Sequence, residues 1–399
     1  MTYRKLPATL VAIFAYAIMS GFFTQGGVIL APAAAAFGVR VTDAAALFSY
    51  LLAGNLVAFL LCLVLFDVLS IRRVLVLAYG AVFAGVAIFA TTHAFAIACA
   101  AIALIGFGGG VGLSAGAVTI SKTYAENRRA VAFLCTDCAF SVAGFIFPAI
   151  AAGAIARAMP WQSGYVVVAG VAALVLLAAF GIRFPQTGRA AARAAERATR
   201  PDAATIVRVV LFGGALCLYL CGQSTFTLWA PNYLQTVLAV PALDANAIIG
   251  KFWGPSIFGL IIAAVVVSRI PARLVLVIAG CAAAGCTLVL ASTGSAPTFF
   301  AATAAFGFCS TCLYKLMISL GTEQVAAAPP QLVTFLLFAG ALGGTIGPAL
   351  SGRVVHALGL HAAPAMAFVC YAATLVLVVA ALVLERTVRP EVPVNALSS

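Results

Sequence analysis

The sequence predicts an all-α membrane protein of twelve transmembrane helices, arranged as two six-helix repeats. Three observations predict it. Of the 399 residues, 64% are apolar and only 8% charged, and mean hydropathy is +1.17; a soluble domain is about half apolar and about a quarter charged. Nearly uncharged stretches of about 20 residues, long enough to cross a ~30 Å hydrocarbon layer, recur along the whole chain. The two halves of the chain also match each other at a shift near 200 residues.

Twelve spans can be drawn, at 8–34, 44–69, 72–93, 95–121, 130–156, 162–183, 204–236, 244–268, 272–293, 297–322, 330–357 and 361–386. The first outruns the apolar core of a signal peptide and has no clean cleavage site after it, so it is kept as a membrane helix. Charge supports the remaining assignments. Of the 22 Lys and Arg, all but five fall in connections on one side, from Arg4 and Lys5 through Arg72, Arg73, Lys122, Arg128 and Arg129 to Arg386 and Arg389. Arg40, Arg157 and Arg353 fall on the other side, and Lys251 and Lys315 lie within spans. The positive-inside rule then places both termini in the cytoplasm. The net charge of +12 suits anionic lipid at that face and gives no reason to invoke nucleic acid.

The longest polar connector joins spans six and seven. In it Arg189, Arg193 and Arg197 repeat every four residues, as on a basic surface helix. The chain therefore divides into an N-terminal half (1–183), a basic cytoplasmic linker (184–203), a C-terminal half (204–386) and a cytoplasmic tail (387–399). The halves repeat each other: Ala31-Pro32 recurs as Ala230-Pro231, Asp43-Ala44 as Asp244-Ala245, Arg72 as Arg273, and Gly106-Phe107 as Gly307-Phe308. Gly144-x-x-x-Pro148 in span five recurs as Gly344-x-x-x-Pro348 in span eleven. Five matches in the same order make an internal duplication, a common construction for transporters.

These features resemble the major facilitator superfamily over the whole chain from about Leu6 to Arg389. Two stretches are similar to its TsgA-like branch, near the fucose-permease-like transporters. One is Thr136-Asp137 through Ala143-Gly144-x-Ile146-Phe147-Pro148, followed by Ala156-Arg157 and Trp161. The other is Leu320-Gly321-Thr322-Glu323-Gln324 through Pro330-x-Leu332-Val333-x-Phe335. The resemblance implies a bacterial inner-membrane protein, a central cavity between two halves, and alternating access by rocking of those halves. The superfamily's loop between spans two and three is here Asp67-Val-Leu-Ser-Ile-Arg72-Arg73, with acid and bases kept but the glycine gone. It implies a gating role for Asp67, Arg72 and Arg73, and Glu323 at the matching junction joins them. Acids that neighbouring sugar–proton symporters carry in spans one and four are absent, which counts against proton-coupled sugar uptake.

Asp137 is the feature composition explains least: an acid about 9 Å from the midpoint of span five, on the cytoplasmic side. It must face protein, water or a counter-ion. Three roles fit: an inter-helix anchor, a protonatable coupling group, or a direct ligand of the solute. Lys315 in span ten is its candidate partner, at about 7 Å from that helix's midpoint toward the same side. A bridge between the two would hold the cytoplasmic gate shut; snorkelling of Lys315 to the headgroups is the alternative. Lys251, before Phe252-Trp253-Gly254-Pro255, either enters the outer cavity or snorkels. Gln25, Asn55 and Gln223 are polar residues within spans, with Gln25 and Gln223 near-equivalent in the two repeats. Each lines the cavity or makes an inter-helix hydrogen bond, and Trp253 stacks on a solute ring or packs.

Other motifs carry no chemistry in this setting. Cys135/Cys138 and Cys309/Cys312 have CxxC spacing, but lie inside predicted helices with no histidine nearby, so neither a metal nor a redox site is expected. The glycine run from Gly106 to Gly112 has no preceding strand and reads as close helix packing rather than dinucleotide binding. Gly112-Leu-Ser114-Ala-Gly116 matches a nucleophile elbow without its strand–turn–helix frame.

The expectation is thus a secondary transporter of a small polar solute, a monomer in the lipid bilayer. It has no catalytic residues, cofactor or metal, and an ion gradient, by default protons, drives it. The alternatives are an exporter of toxic compounds or metabolites, or a membrane sensor or scaffold that no longer transports.

Overall fold

Inside a bilayer no water is at hand for backbone N–H and C=O groups, so an apolar span must satisfy them within itself as a helix. The structure is a computed structural model that describes residues 5–124, 126–185, 203–267, 269–324 and 330–388. Twelve of its helices or helix pairs are long and apolar enough to cross a membrane, and no strand occurs among the described residues. Most of the linker (184–203) and of the tail (387–399) lies outside the described residues.

Span one is two helices, α1 (Lys5–Thr24) and α2 (Gly26–Phe37), and span two is α3 (Val41–Ala44) with α4 (Ala46–Val68). Spans three to seven are α5 (Ile71–Thr91), α6 (Phe95–Thr123), α7 (Glu126–Ala156), α8 (Ser163–Gly181) and α9 (Ala203–Thr236). Span eight is α10 (Ala242–Asn246) with α11 (Ile248–Val267). Spans nine to twelve are α12 (Ala272–Ser292), α13 (Ala296–Thr322), α14 (Pro330–Leu358) and α15 (Ala362–Val388). The breaks in spans one, two and eight were not anticipated. Span one breaks at Gln25, where Gly26-Gly27 lower helix propensity. It ends at Gly38, whose φ of 65° lets its N–H reach the carbonyls of Ala34 and Ala35.

With lipid as apolar as the side chains, helices associate through close packing, which small residues permit. The repeat is visible in that packing. A Cβ on Gly106 of span four would stand 1.7 Å from the Leu51 carbonyl oxygen of span two. Its counterpart Gly307 of span ten would stand 2.0 Å from the Phe252 carbonyl oxygen of span eight. Arg72 of span three donates to the Ile182 carbonyl at 2.7 Å, and its counterpart Arg273 of span nine pairs with Glu385 at 2.7 Å.

The halves meet mainly away from the face where α1 begins and α15 ends, here termed the terminal face. Gly27 lies against the Thr227 and Leu228 carbonyls, and Gly352 against that of Thr42. The Ser49 hydroxyl accepts the Ala349 N–H at 2.9 Å, just past the Pro348 kink. Arg40 pairs with Asp43 at 2.7 Å and hydrogen-bonds His356 of the other half. Nearer the middle, Gly144 packs on Trp253 and Gly344 on Leu52, so the duplicated Gly-x-x-x-Pro motif supplies an equivalent contact at each seam.

Candidate functional site

One face of span five carries Asp137, Phe140 and Gly144, spaced three and four residues apart so that all three point toward the C-terminal half. Opposite them span ten presents Lys315, Ser319 and Glu323, four residues apart. The two stripes meet at one point: Lys315 Nζ lies 3.1 Å from Asp137 Oδ2. The pair joins the two halves at the depth expected from each helix separately.

Its surroundings are unequal. The Lys315 side chain is 46% exposed and the Asp137 side chain 17%. Ser319 and Glu323, one and two turns nearer the terminal face on the same stripe, are exposed as well. An uncompensated acid or base at this depth costs about 3 kcal/mol to insert. Pairing lowers that cost for both groups.

Aromatic rings complete the site. The amine stands 5.7 Å from the Tyr314 ring centroid, within cation–π range. Tyr314 in turn stacks on Tyr219 of span seven at 6.1 Å. Tyr16 of span one lies within electrostatic range of Asp137 and Tyr314. Two turns of span five farther from the terminal face stands Trp253, with its ring 5.5 Å from Phe140 and against Gly144. Its indole N–H is buried and has no hydrogen-bond partner. Sequence reasoning missed Tyr16 and Tyr314. Adjacency to Lys315 was the available signal for Tyr314; nothing marked Tyr16 among the apolar residues of span one.

Other candidates lie elsewhere. Gln25 is fully buried at the break of span one; it donates to the Gly21 carbonyl at 2.6 Å and turns its Oε1 toward Gly164 of span six, within the N-terminal half. Asn55 packs on Gly110 of span four, and its Oδ1 has no partner. Close helix packing, rather than a shared cavity wall, accounts for both. Gln223 is buried in span seven. Lys251 shares its face of span eight with exposed Phe258 and Ile262, so it stands on a lipid-facing stripe away from Asp137. Of the gating candidates, Arg73 is exposed, Arg72 is held by Ile182, and Glu323 accepts a hydrogen bond from Ser319 at 3.2 Å. The Asp67 side chain lies outside the described residues. Ser114, in the elbow-like motif, donates to the Gly110 carbonyl of its own helix at 2.9 Å. No cluster of three or more metal-ligating side chains occurs among the described residues.

Comparison with known proteins gives this geometry its context. The family model described as Major Facilitator Superfamily matches residues 8–329. The chain belongs to the major facilitator superfamily. It is 28% identical over 383 residues to the Protein TsgA homolog of Erwinia tasmaniensis, covering 93% of this chain and 94% of that one. It is also 28% identical over 375 residues to Protein TsgA of Salmonella arizonae, covering 94% of each. Among solved structures, a POT family transporter crystallised with 5-aminolevulinic acid superposes with a TM-score of 0.76 at 12% identity, over 96% of this chain and 97% of that one. The human organic anion transporter MFSD10 gives a TM-score of 0.68 at 15% identity, over 94% and 100%. At such identities the structural likeness shows the major facilitator fold alone. Family and fold together make this a multi-pass membrane transporter and not an enzyme.

Proposed function

We propose that this transporter moves a small polar solute bearing an anionic group, by alternating access, with Asp137 and Lys315 as the coupling pair. The observation that carries the reading is the ion pair itself: it spans the two halves, and the lysine side chain is 46% exposed against 17% for the aspartate. A carboxylate or similar group entering from the terminal face passes exposed Glu323 and Ser319 and finds its cation in Lys315. Binding there competes with Asp137 for the ammonium. Asp137, losing its counter-charge in a mostly buried position, gains a reason to take up a proton. That exchange links solute binding to proton binding without any further ionisable group. Tyr314 and Trp253 supply ring faces for the apolar part of the solute.

Charge distribution supports a cytoplasmic terminal face, and the similarity to bacterial TsgA proteins supports an inner-membrane location. The protein acts as a monomer in lipid on this reading, the two halves being the moving parts, joined by the linker. A thermal-stability screen of the purified protein against carboxylates, amino acids, sugars and inorganic anions tests the substrate class. An anionic hit should raise the melting temperature of the wild type and not of Lys315→Met. Stabilisation by neutral sugars alone, equal in both proteins, overturns the proposal.

A further inference from the structure

On the lipid-facing side of spans five and six an apolar groove of about 500 Å³ runs toward the face opposite the termini. Its floor is a stripe of span five, Phe145, Ala149, Ile150 and Gly153, and its far wall includes Val167 of span six. Arg157 stands at its outer end. From Phe145 to Arg157 is twelve residues of helix, about 18 Å, close to the ~15 Å of hydrocarbon in one leaflet. Small residues at 149 and 153 make the stripe concave between Phe145 and Arg157.

Arg157 is an odd residue for its place. It is one of three basic residues assigned to the sparsely charged face, and Arg40, another of them, has Asp43 as its partner. Among the described residues no carboxylate lies within ion-pair distance of Arg157, and its guanidinium makes a long 3.4 Å hydrogen bond to the Gly153 carbonyl of its own helix. Four of the five guanidinium N–H donors therefore have no protein acceptor among the described residues, at the mouth of an apolar channel about one leaflet long.

We infer that this groove binds a diacyl phospholipid of the leaflet opposite the terminal face, with one acyl chain on the Phe145–Gly153 stripe and its phosphate on Arg157. Charge complementarity at the mouth and the length of the channel select this occupant. Anionic headgroups are favoured over zwitterionic ones, because no nearby carboxylate offsets the guanidinium. The site also touches the seam between the halves: Phe145 packs on Gly250 and Gly254 of span eight, with 3.2 Å and 3.4 Å to a Cβ built at each. A chain lying on Phe145 therefore braces the closed side of the molecule.

The test is native mass spectrometry of the delipidated protein titrated with phosphatidylglycerol and with phosphatidylethanolamine of the same chains. The wild type should hold one lipid, with phosphatidylglycerol the tighter. Arg157→Gln should bind phosphatidylglycerol about fivefold more weakly and lose the headgroup preference. Gly153→Leu should lose both lipids, since its new side chain fills the channel; the only atom within 4 Å of a Cβ there is the flexible Arg157 tip at 3.4 Å, so the fold accommodates it. Lipid-free melting temperatures equal to wild type confirm that both variants are folded, and a photoactivatable phosphatidylglycerol should label the segment 145–167. Equal lipid binding by wild type and both variants overturns the inference. So does competition by glycerol phosphate at the same concentration, which would show a simple anion site without an acyl channel.

Discussion

Gly144 of span five lies flat against the Trp253 indole of span eight: a Cβ added at Gly144 would stand 2.8 Å from two ring carbons. The pseudo-equivalent contact, Gly344 against Leu52, leaves 3.4 Å to a flexible methyl. The two seams are thus related by the duplication but differ in tolerance. Gly144→Ala should force the halves apart at span eight and favour conformations open on the face opposite the termini. Gly344→Ala should leave the balance near wild type. Labelling of Ser49→Cys with an impermeant maleimide reads the difference. Faster labelling with Gly144→Ala than with Gly344→Ala is expected, and equal rates would remove the seam from the gating account.

Breaking the Asp137–Lys315 pair separates stability from transport. Lys315→Met leaves a mostly buried carboxylate without its counter-charge and should destabilise by about 1–3 kcal/mol, less than a fully buried pair because the Lys315 side chain is 46% exposed. Asp137→Asn should cost less, because Lys315 is the more exposed partner and its long side chain can carry the ammonium toward solvent. Both should abolish flux in proteoliposomes. The double neutral variant Asp137→Asn/Lys315→Met should recover stability but not flux, whereas the charge swap Asp137→Lys/Lys315→Asp should recover part of both. A well-inserted swap variant without any flux would reduce the pair to a structural anchor.

Glycines divide sharply by what lies above them. Gly106→Ala and Gly307→Ala would drive a methyl to within 1.7 Å and 2.0 Å of a backbone oxygen on a neighbouring helix, where nothing flexible can yield. Each should lower stability by about 2 kcal/mol or more, read as lost folded protein and a lower melting temperature. Gly80→Ala in span three meets nothing within 4 Å and should gain up to about 1 kcal/mol from helix propensity.

Arg273→Gln removes the partner of Glu385, whose side chain is only 10% exposed. A loss of about 1 kcal/mol is expected, since Arg273 itself is 48% exposed. Among the described residues Arg72→Gln at the equivalent position strands only the Ile182 carbonyl and should cost less. Melting of the two variants side by side checks the order.

Much of the fold was legible because the bilayer enforces simple rules: uncharged length gives spans, and the duplication gives the pairing of equivalent helices. The Asp137–Lys315 meeting was legible because a charge inside a span is costly, so its depth and the search for a partner are constrained. Gln25, Asn55 and Lys251 were not legible in the same way. A polar side chain in a span serves equally well at a cavity wall, a helix contact or a lipid-facing stripe, and only the rotation of each helix about its axis distinguishes them. Tyr16 and Tyr314 went unmarked because aromatic rings occur throughout apolar spans.

The sequence by itself determined the class, the number and order of spans, the two-fold repeat and the pairs of residues that repeat it, because composition and period are one-dimensional quantities. Only the tertiary structure decided which faces of those helices oppose each other. It set Lys315 on Asp137 across the halves, turned Gln25 toward Gly164, and left Arg157 at the mouth of an apolar channel. Rotation and tilt are fixed by close packing of glycines against neighbouring backbones, and that packing depends on residues some 50 to 310 positions apart.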